Sequence, residues 1–84
     1  MKILHVIRRP EDRRALASAK AHLADQEVTL LLLHDAVLDA IEFPGRIYAA
    51  RDDLAARGWR RDYSPLSYEG IVALIFANDR VISW

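Results

Sequence analysis

The sequence predicts an α/β fold, in which residues 1–84 form a single three-layer α/β/α domain on a mostly parallel sheet of about five strands. Three observations lead to this fold class. Short apolar segments rich in Ile, Val and Leu alternate with stretches that carry helical signals. The segment 28–33 is apolar on both faces, which is typical of a strand covered by helices on both sides. The connection between the first two segments is long enough for a right-handed parallel crossover.

The first third of the chain has the pattern strand, helix, strand. Residues 2–7 are rich in β-branched side chains and are followed by two arginines, which predicts strand one. A helix is expected from Pro10 to Ala24, because proline suits the first turn, acidic residues complement the helix dipole and alanine favours helix. Residues 28–33 then form strand two.

The middle of the chain repeats this alternation. Asp35 is predicted to cap a short helix after strand two. Residues 46–50 are predicted to form strand three. A helix over residues 52–57 follows, since two acidic residues open it and Gly58 can end it in a left-handed conformation.

The last third contributes an edge strand, a helix and a closing strand. Residues 59–64 are predicted to form the edge strand, which their arginines would keep from pairing with other chains. Ser67 is expected to cap a helix over residues 68–77, and Asn78 to end it. This helix is apolar over more than one stripe, which indicates burial on more than one side. Residues 81–84 form the closing strand.

Charge, cysteine and glycine content exclude several classes of function. Twelve Lys+Arg balance twelve Asp+Glu, so the formal net charge is zero and a generally basic nucleic-acid binder is disfavoured. The absence of cysteine excludes a disulfide framework, a thiolate metal site and a cysteine nucleophile. The first glycine is Gly45, so no glycine-rich phosphate loop opens the first helix. The three histidines lack the spacing of a metal site. We therefore expect no metal and no cofactor.

The chain has no segment suited to a membrane. Its longest apolar run, residues 71–77, has seven residues, whereas about 20 are needed to span a bilayer. The apolar stretch at the start of the chain stops at Arg8, which is too soon for a signal-peptide core. The sequence therefore predicts a soluble, cytoplasmic protein.

Residues that follow the first two strands form a candidate anion site. Open α/β sheets bind ligands at the carboxyl ends of their strands. Arg8 and Arg9 follow strand one, and His34 and Asp35 follow strand two. These four residues predict a site for a small anionic ligand, in which Asp35 would orient the imidazole of His34. The alternative interpretation is that Asp35 only caps a helix and His34 is a loop residue.

The sequence predicts structural roles for the other two histidines and for Trp84. His5 lies in the middle of strand one and is expected to be a core histidine with a hydrogen-bonded ring, while His22 suits the negative end of the first helix. Trp84 is expected to be docked, either in this fold or against a partner. The broad apolar surface of the last helix predicts that it lies in a subunit interface. The alternative is that the helix is buried in the chain's own core. The predicted interface residues are Tyr68, Val72, Phe76 and Trp84.

Arginines form two clusters, over residues 8–14 and 57–61. Together with Trp59 and Tyr63, the second cluster has the aromatic and basic mixture that holds single-stranded RNA in other proteins. Acidic residues are interleaved with both clusters, which favours solvated ion pairs instead. Direct contact with RNA is therefore not expected.

Four segments match the motifs of one known family in order and spacing. Residues 1–7 followed by Pro10 are similar to its opening strand and helix start. Residues 30–37, LLLLHDAV, are similar to its "LLLxDGV" turn, and residues 47–58, IYAARDDLAARG, to its "VYALxxDLxARG" element. Residues 68–84, YEGIVALIFANDRVISW, are similar to its "YxxFVxLxxxHDxVxSW" terminus. The chain thus resembles the DsrH/TusB family of the DsrE/DsrF/DsrH-like sulfur-relay proteins.

The resemblance implies a non-catalytic subunit rather than an enzyme. Members of the family assemble with DsrE/TusD-like and DsrF/TusC-like paralogues into hetero-oligomers that pass persulfide sulfur to an acceptor. The sulfur serves 2-thiolation of the tRNA wobble uridine or sulfur oxidation, and it is carried on a cysteine of the DsrE-like subunit. Some members also carry a cysteine near the position of Ala19 here. Ala36 replaces the usual glycine of the turn, which raises the question of that turn's conformation.

The same residues also fit a second class of function. The chain can instead be a stand-alone homo-oligomer of the same fold that binds a small anionic ligand at Arg8, Arg9 and His34. In that case its partners are copies of itself rather than paralogues. Neither hypothesis involves a membrane.

Overall fold

The sheet has five strands in the order β4-β3-β2-β1-β5, and all neighbouring strands are parallel in the computed structural model of residues 1–84. Strands β1 to β5 span Lys2–Ile7, Glu27–Leu32, Arg46–Ala50, Ser64–Leu66 and Arg80–Ser83. Helices α1, α2 and α3 span Arg13–His22, Arg51–Ala56 and Tyr68–Ala77. A 3₁₀ helix spans His34–Leu38. The predicted α/β class with five strands is confirmed.

Apolar side chains fill both faces of the sheet, because alternate residues of a strand point to opposite sides. Helices α1 and α2 and the 3₁₀ helix cover the first face. The buried cluster there comprises Ile7, Ala15, Ala19, Val28, Leu30, Leu32, Ala36, Val37, Ala49 and Leu54. Helix α3 covers the second face with Ile71 and Leu74. The smaller buried cluster under it comprises Leu4, Val6 and Leu31.

The strand order places several strand ends around one point. The chain steps outward from β1 through β2 and β3 to β4, and α3 then carries it across the sheet to β5, on the other side of β1. The direction of the crossovers therefore reverses between β1 and β5. Such a reversal is where open α/β sheets bind ligands, just outside the carboxyl ends of the strands.

Helix α1 begins later than the sequence predicts, at Arg13 rather than at Pro10. Asp12 is its N-cap, and the Asp12 Oδ1 atom accepts a hydrogen bond of 3.1 Å from the backbone N–H of Ala15. Glu11 has a φ angle of +55°, which is left-handed and cannot continue a right-handed helix. The predicted helix start is wrong because a side-chain cap two residues after the proline fixes the boundary.

The short helix after β2 is a 3₁₀ helix, and Asp35 does not cap it. Its N-cap position is Leu33, which makes no side-chain cap hydrogen bond. Instead, the Asp53 Oδ2 atom accepts a hydrogen bond of 2.8 Å from the backbone N–H of His34. The left-handed residue of this turn is His34, with a φ angle of +52°. Ala36 is buried and has no positive φ angle, so the turn does not require a glycine there.

The remaining boundaries lie within two residues of the predicted ones, except at β4. Helix α2 ends before Gly58, which has a φ angle of +77°, and the Ser67 Oγ atom caps α3 by accepting from the N–H of Gly70 at 3.2 Å. The predicted strand over 59–64 is wrong, since β4 begins only at Ser64. The backbone of Trp59 is in the left-handed conformation, and its N–H donates to the carbonyl of Leu54 in α2. Residue 59 therefore belongs to the turn that ends α2 and not to a strand.

Helix α3 leaves much of its apolar surface uncovered. None of its ten residues is buried, and the exposed fraction reaches 84% at Phe76 and 72% at Tyr68. The sequence indicated burial on more than one side, yet within this chain only the side that bears Ile71 and Leu74 is packed. No helix in the fold is both long and apolar enough to cross a bilayer.

Candidate functional site

The four residues of the predicted anion site line one open hollow of about 500 Å³ at the carboxyl edge of the sheet. Arg8 and Arg9 reach it from the end of β1, and His34 and Asp35 reach it from the end of β2. They meet because β1 and β2 pair in parallel register up to Ile7 and Leu32, which brings the two strand ends level. Trp84, which follows β5, forms the remaining part of the wall.

Asp35 and His34 do not form a dyad. The Asp35 Oδ1 atom lies 2.9 Å from Nε of Arg57, which forms an ion pair with it. Arg57 also donates to the backbone carbonyl of Asp53 at 3.1 Å and lies 3.4 Å from its carboxylate. The His34 ring makes no hydrogen bond within the chain, so its two nitrogens remain available to a ligand. The predicted orientation of His34 by Asp35 is therefore not observed.

The two arginines at the hollow differ in how freely their guanidinium groups can move. The Nε atom of Arg8 donates to the carbonyl oxygen of Trp84 at 3.0 Å, which holds its side chain across the end of β5. Arg9 pairs with Asp12 at 3.3 Å, but its side chain is 75% exposed. Exposed ion pairs are worth about 0–1 kcal/mol, so Arg9 can turn toward a bound anion. No group of acidic residues and histidines in the chain is arranged to hold a metal ion.

Trp84 docks on a buried histidine of the chain's own fold. The Trp84 Nε1–H group donates to Nδ1 of His5 at 2.9 Å, and the two rings lie 11° from parallel. On its other side, His5 Nε2 lies 3.1 Å from Nδ1 of His22, in the last turn of α1. His5 is fully buried. The prediction of a core histidine with a hydrogen-bonded ring is confirmed.

The environment of His5 fixes its charge and its tautomer. Burial lowers the pKa of His5 from 6.5 to about 4, and the charges of His22 and Arg80 act in the same direction. His5 is therefore neutral at pH 7. An indole N–H can only donate, so Nδ1 of His5 must accept and Nε2 must carry the proton. That proton is donated to His22, whose Nδ1 is consequently unprotonated.

The four predicted interface residues lie on two opposite faces of the sheet. Tyr68, Val72 and Phe76 belong to α3, whereas Trp84 packs against the cluster under α1. The structure thus assigns Trp84 to the chain's own core and leaves the α3 residues as a separate surface. We call this surface the α3 face. Its exposed large side chains are Tyr68, Ile75 and Phe76, with Val81 of the following strand.

The aromatic and basic cluster near Arg57 serves mainly to tie loops together. Arg57 is engaged by acidic partners, and Nε of Arg61 donates to the carbonyl of Leu38 at 2.9 Å. The Tyr63 hydroxyl donates to the carbonyl of Asp39 and accepts from the N–H of Ile41. These contacts engage Arg57, Arg61 and Tyr63, whereas Trp59 remains 52% exposed.

Comparison with known proteins shows the fold. The chain is similar to the crystal structure of the ychN protein from E. coli, with a TM-score of 0.78, 11% sequence identity and coverage of 100% of this chain and 99% of that chain. No protein-family model matches the sequence, and no curated protein matches it. At this identity the likeness is one of fold, and it confirms the predicted α/β architecture.

Proposed function

We propose that this protein is a DsrH/TusB-like, non-catalytic subunit of a DsrEFH/TusBCD-like sulfur-relay complex. The observation that carries the proposal is the α3 face. In a chain of 84 residues, Phe76 and Tyr68 leave 84% and 72% of their surface in water. Contiguous exposed apolar surface of this kind marks protein interaction sites. The same helix lies in the segment 68–84 that most closely matches the family motif.

The absence of cysteine supports an accessory role in such a relay. A persulfide relay requires a thiolate that accepts and donates sulfur, and this chain has none. The hollow at the carboxyl edge offers cations and an imidazole but no nucleophile of that kind. A DsrE/TusD-like partner would therefore carry the sulfur, and this chain would supply shape and interface rather than chemistry.

The fold also supports the proposal, at the level of the DsrEFH-like fold as a whole. A protein with the DsrEFH-like fold aligns over the whole length of the chain, and the four motif segments occur in the family's order. We expect DsrE/TusD-like and DsrF/TusC-like paralogues as partners, in the cytoplasm. The complex would serve tRNA wobble uridine thiolation or sulfur oxidation, without direct contact between this subunit and tRNA.

Co-expression with the two paralogues tests the proposal. We expect the three proteins to co-purify on a tag carried by one of them and to elute together in size-exclusion chromatography with light scattering. Phe76→Ser should weaken the assembly, since it removes the most exposed apolar side chain of the α3 face. Trp59→Ser is the matched control, because Trp59 is 52% exposed but lies outside α3. Separate elution of the three wild-type proteins would refute the proposal.

The hollow favours a second candidate function, a homo-oligomeric protein that binds a small anion. Arg8, Arg9 and His34 converge there from two strands, and the ring of His34 has no partner in the chain. Thermal-shift measurements with phosphate and sulfate test this candidate. We expect stabilisation that is lost in Arg9→Ala, and a wild-type protein that no anion stabilises would eliminate the site.

A further inference from the structure

Trp84, His5 and His22 form a hydrogen-bonded chain with a fixed order of protons. The Trp84 indole donates to His5 Nδ1 at 2.9 Å, and His5 Nε2 lies 3.1 Å from His22 Nδ1. Since the indole can only donate, the proton of neutral His5 must lie on Nε2. Both hydrogen bonds then point in the same direction, from Trp84 through His5 to His22.

A proton added to this chain has no position that preserves both hydrogen bonds. On His5 Nδ1 it faces the indole N–H of Trp84, so two donors oppose each other. On His22 Nδ1 it faces the N–H of His5. His5 can relieve that conflict only by moving its own proton to Nδ1, which again opposes Trp84. Protonation therefore costs either the contact with Trp84 or the contact between the two imidazoles.

The surroundings offer no negative charge to offset such a proton. The charged groups that face His5 are His22 from α1 and Arg80 from β5, and both are basic. Its neighbours in β2 and β5 are the apolar residues Leu30 and Ile82. No carboxylate forms an ion pair with either histidine. An added charge at His5 is thus left buried without a counter-ion, which is strongly unfavourable.

We propose that His5, with its Nε2 proton held by His22, is a proton-sensitive latch that keeps Trp84 docked at neutral pH and releases it when His5 itself gains a proton. Release of the Trp84 indole would directly change the hollow at the sheet edge. Trp84 is part of its wall, and its carbonyl oxygen holds the Nε atom of Arg8 at 3.0 Å. Release of the indole would therefore open the hollow, while the main-chain bond from Trp84 to Val6 keeps its carbonyl oxygen on Arg8. This inference is independent of the proposed sulfur-relay function.

The environment of Trp84 can be followed in the Trp59→Phe variant, in which Trp84 is the only tryptophan. Its fluorescence and its indole N–H proton resonance would be recorded from pH 7 to pH 4, with far-UV circular dichroism at each point. We expect the emission to shift to longer wavelength and the indole resonance to be lost to solvent exchange, while the dichroism is retained. A constant Trp84 signal overturns the latch. So does a signal that changes only together with the dichroism, since that change is global unfolding.

Histidine variants in the same background test which groups form the latch. His22→Gln can still accept from His5 but removes a basic group that disfavours protonation of His5, so the transition should move to higher pH. His5→Gln should remove it. His34→Gln is the matched control, because His34 lies at the hollow but outside the hydrogen-bonded chain. Should His5→Gln fail to fold, His22→Gln and His34→Gln still decide the matter, since equal transitions in these two variants contradict the proposal.

Discussion

The indole nitrogen of Trp84 lies 2.9 Å from Nδ1 of His5, although 79 positions separate the two residues in the sequence. The backbone N–H of Trp84 also donates to the carbonyl of Val6 at 2.9 Å. The end of β5 is thereby fixed to β1 by a main-chain bond and by a side-chain bond. Trp84, which the sequence predicts to be docked, thus fastens the edge strand β5 to its neighbour β1 in the chain's own sheet.

Trp84→Phe tests the contribution of this hydrogen bond. The substitution keeps an aromatic ring but removes the N–H donor, which leaves the buried Nδ1 atom of His5 without a partner. We expect a loss of about 1–3 kcal/mol in the free energy of unfolding, the usual cost of an unsatisfied buried polar group. Urea denaturation measures it. Trp59→Phe, at an exposed position, should stay within about 0.5 kcal/mol of the wild type, and equal stability of the two variants would contradict the assigned hydrogen bond.

Stability should fall on mild acidification because the pKa of His5 is lowered in the folded state, from 6.5 to about 4. Between these values the unfolded chain binds more protons than the folded one, so the free energy of unfolding rises with pH and levels off above about pH 6.5. We expect a loss of about 2 kcal/mol between pH 7 and pH 5, where ordinary carboxyl groups remain ionised. Urea denaturation at the two pH values measures it.

His5→Gln is the control for this pH dependence, since glutamine does not titrate. Its free energy of unfolding should differ by much less between pH 7 and pH 5 than that of the wild type. An unchanged wild-type stability over this range would show that His5 gains a proton as readily in the fold as in the unfolded chain.

Local signals in the sequence predict a helix boundary well when the residues that cap the helix are close to it in the sequence. Helix α3 was predicted to the residue, because Ser67 and Asn78 lie at its two ends and the segment between them is strongly apolar. The start of α1 was misplaced although its signals are also local. Pro10 satisfied a general preference for the first turn, whereas the cap formed by Asp12 determined the boundary.

The sequence predicted those parts of the candidate site that depend on where the strands end. Arg8 and His34 meet because two parallel strands end level, which follows from the pattern of strands. The pairing of Asp35 with Arg57, and of Asp53 with His34, depends on where α2 lies above the sheet. The contact of Trp84 with His5 requires β5 to lie beside β1, and no short-range signal reports that adjacency.

Asp53 is predicted to hold the turn that carries His34. Its carboxylate accepts from the backbone N–H of His34 at 2.8 Å and lies 3.4 Å from Arg57. Asp53→Ala should lower the free energy of unfolding by about 1–2 kcal/mol, through the lost hydrogen bond to a charged group. It should also weaken any stabilisation by phosphate, because His34 loses its fixed position. Thermal denaturation with and without phosphate measures both effects.

Asp52→Ala provides the comparison for Asp53→Ala. Asp52 lies in the same first turn of α2 but is exposed and makes no side-chain hydrogen bond or ion pair. Both variants remove one negative charge near the helix N-terminus, so the helix-dipole contribution is similar in each. A similar loss in the two variants would show that the turn does not depend on the contact between Asp53 and His34.

The two sides of α3 should respond differently to truncation. Ile71 packs against the cluster of Leu4, Val6 and Leu31, so Ile71→Ala should cost about 2–4 kcal/mol of unfolding free energy, as expected for a packed isoleucine. Phe76 is 84% exposed, so Phe76→Ala should change the stability of the isolated chain by no more than about 0.5 kcal/mol. Urea denaturation of the isolated chain measures both. A large loss in Phe76→Ala at low protein concentration would mean that the α3 face is already covered within the chain, and it would remove the physical basis for an interface there.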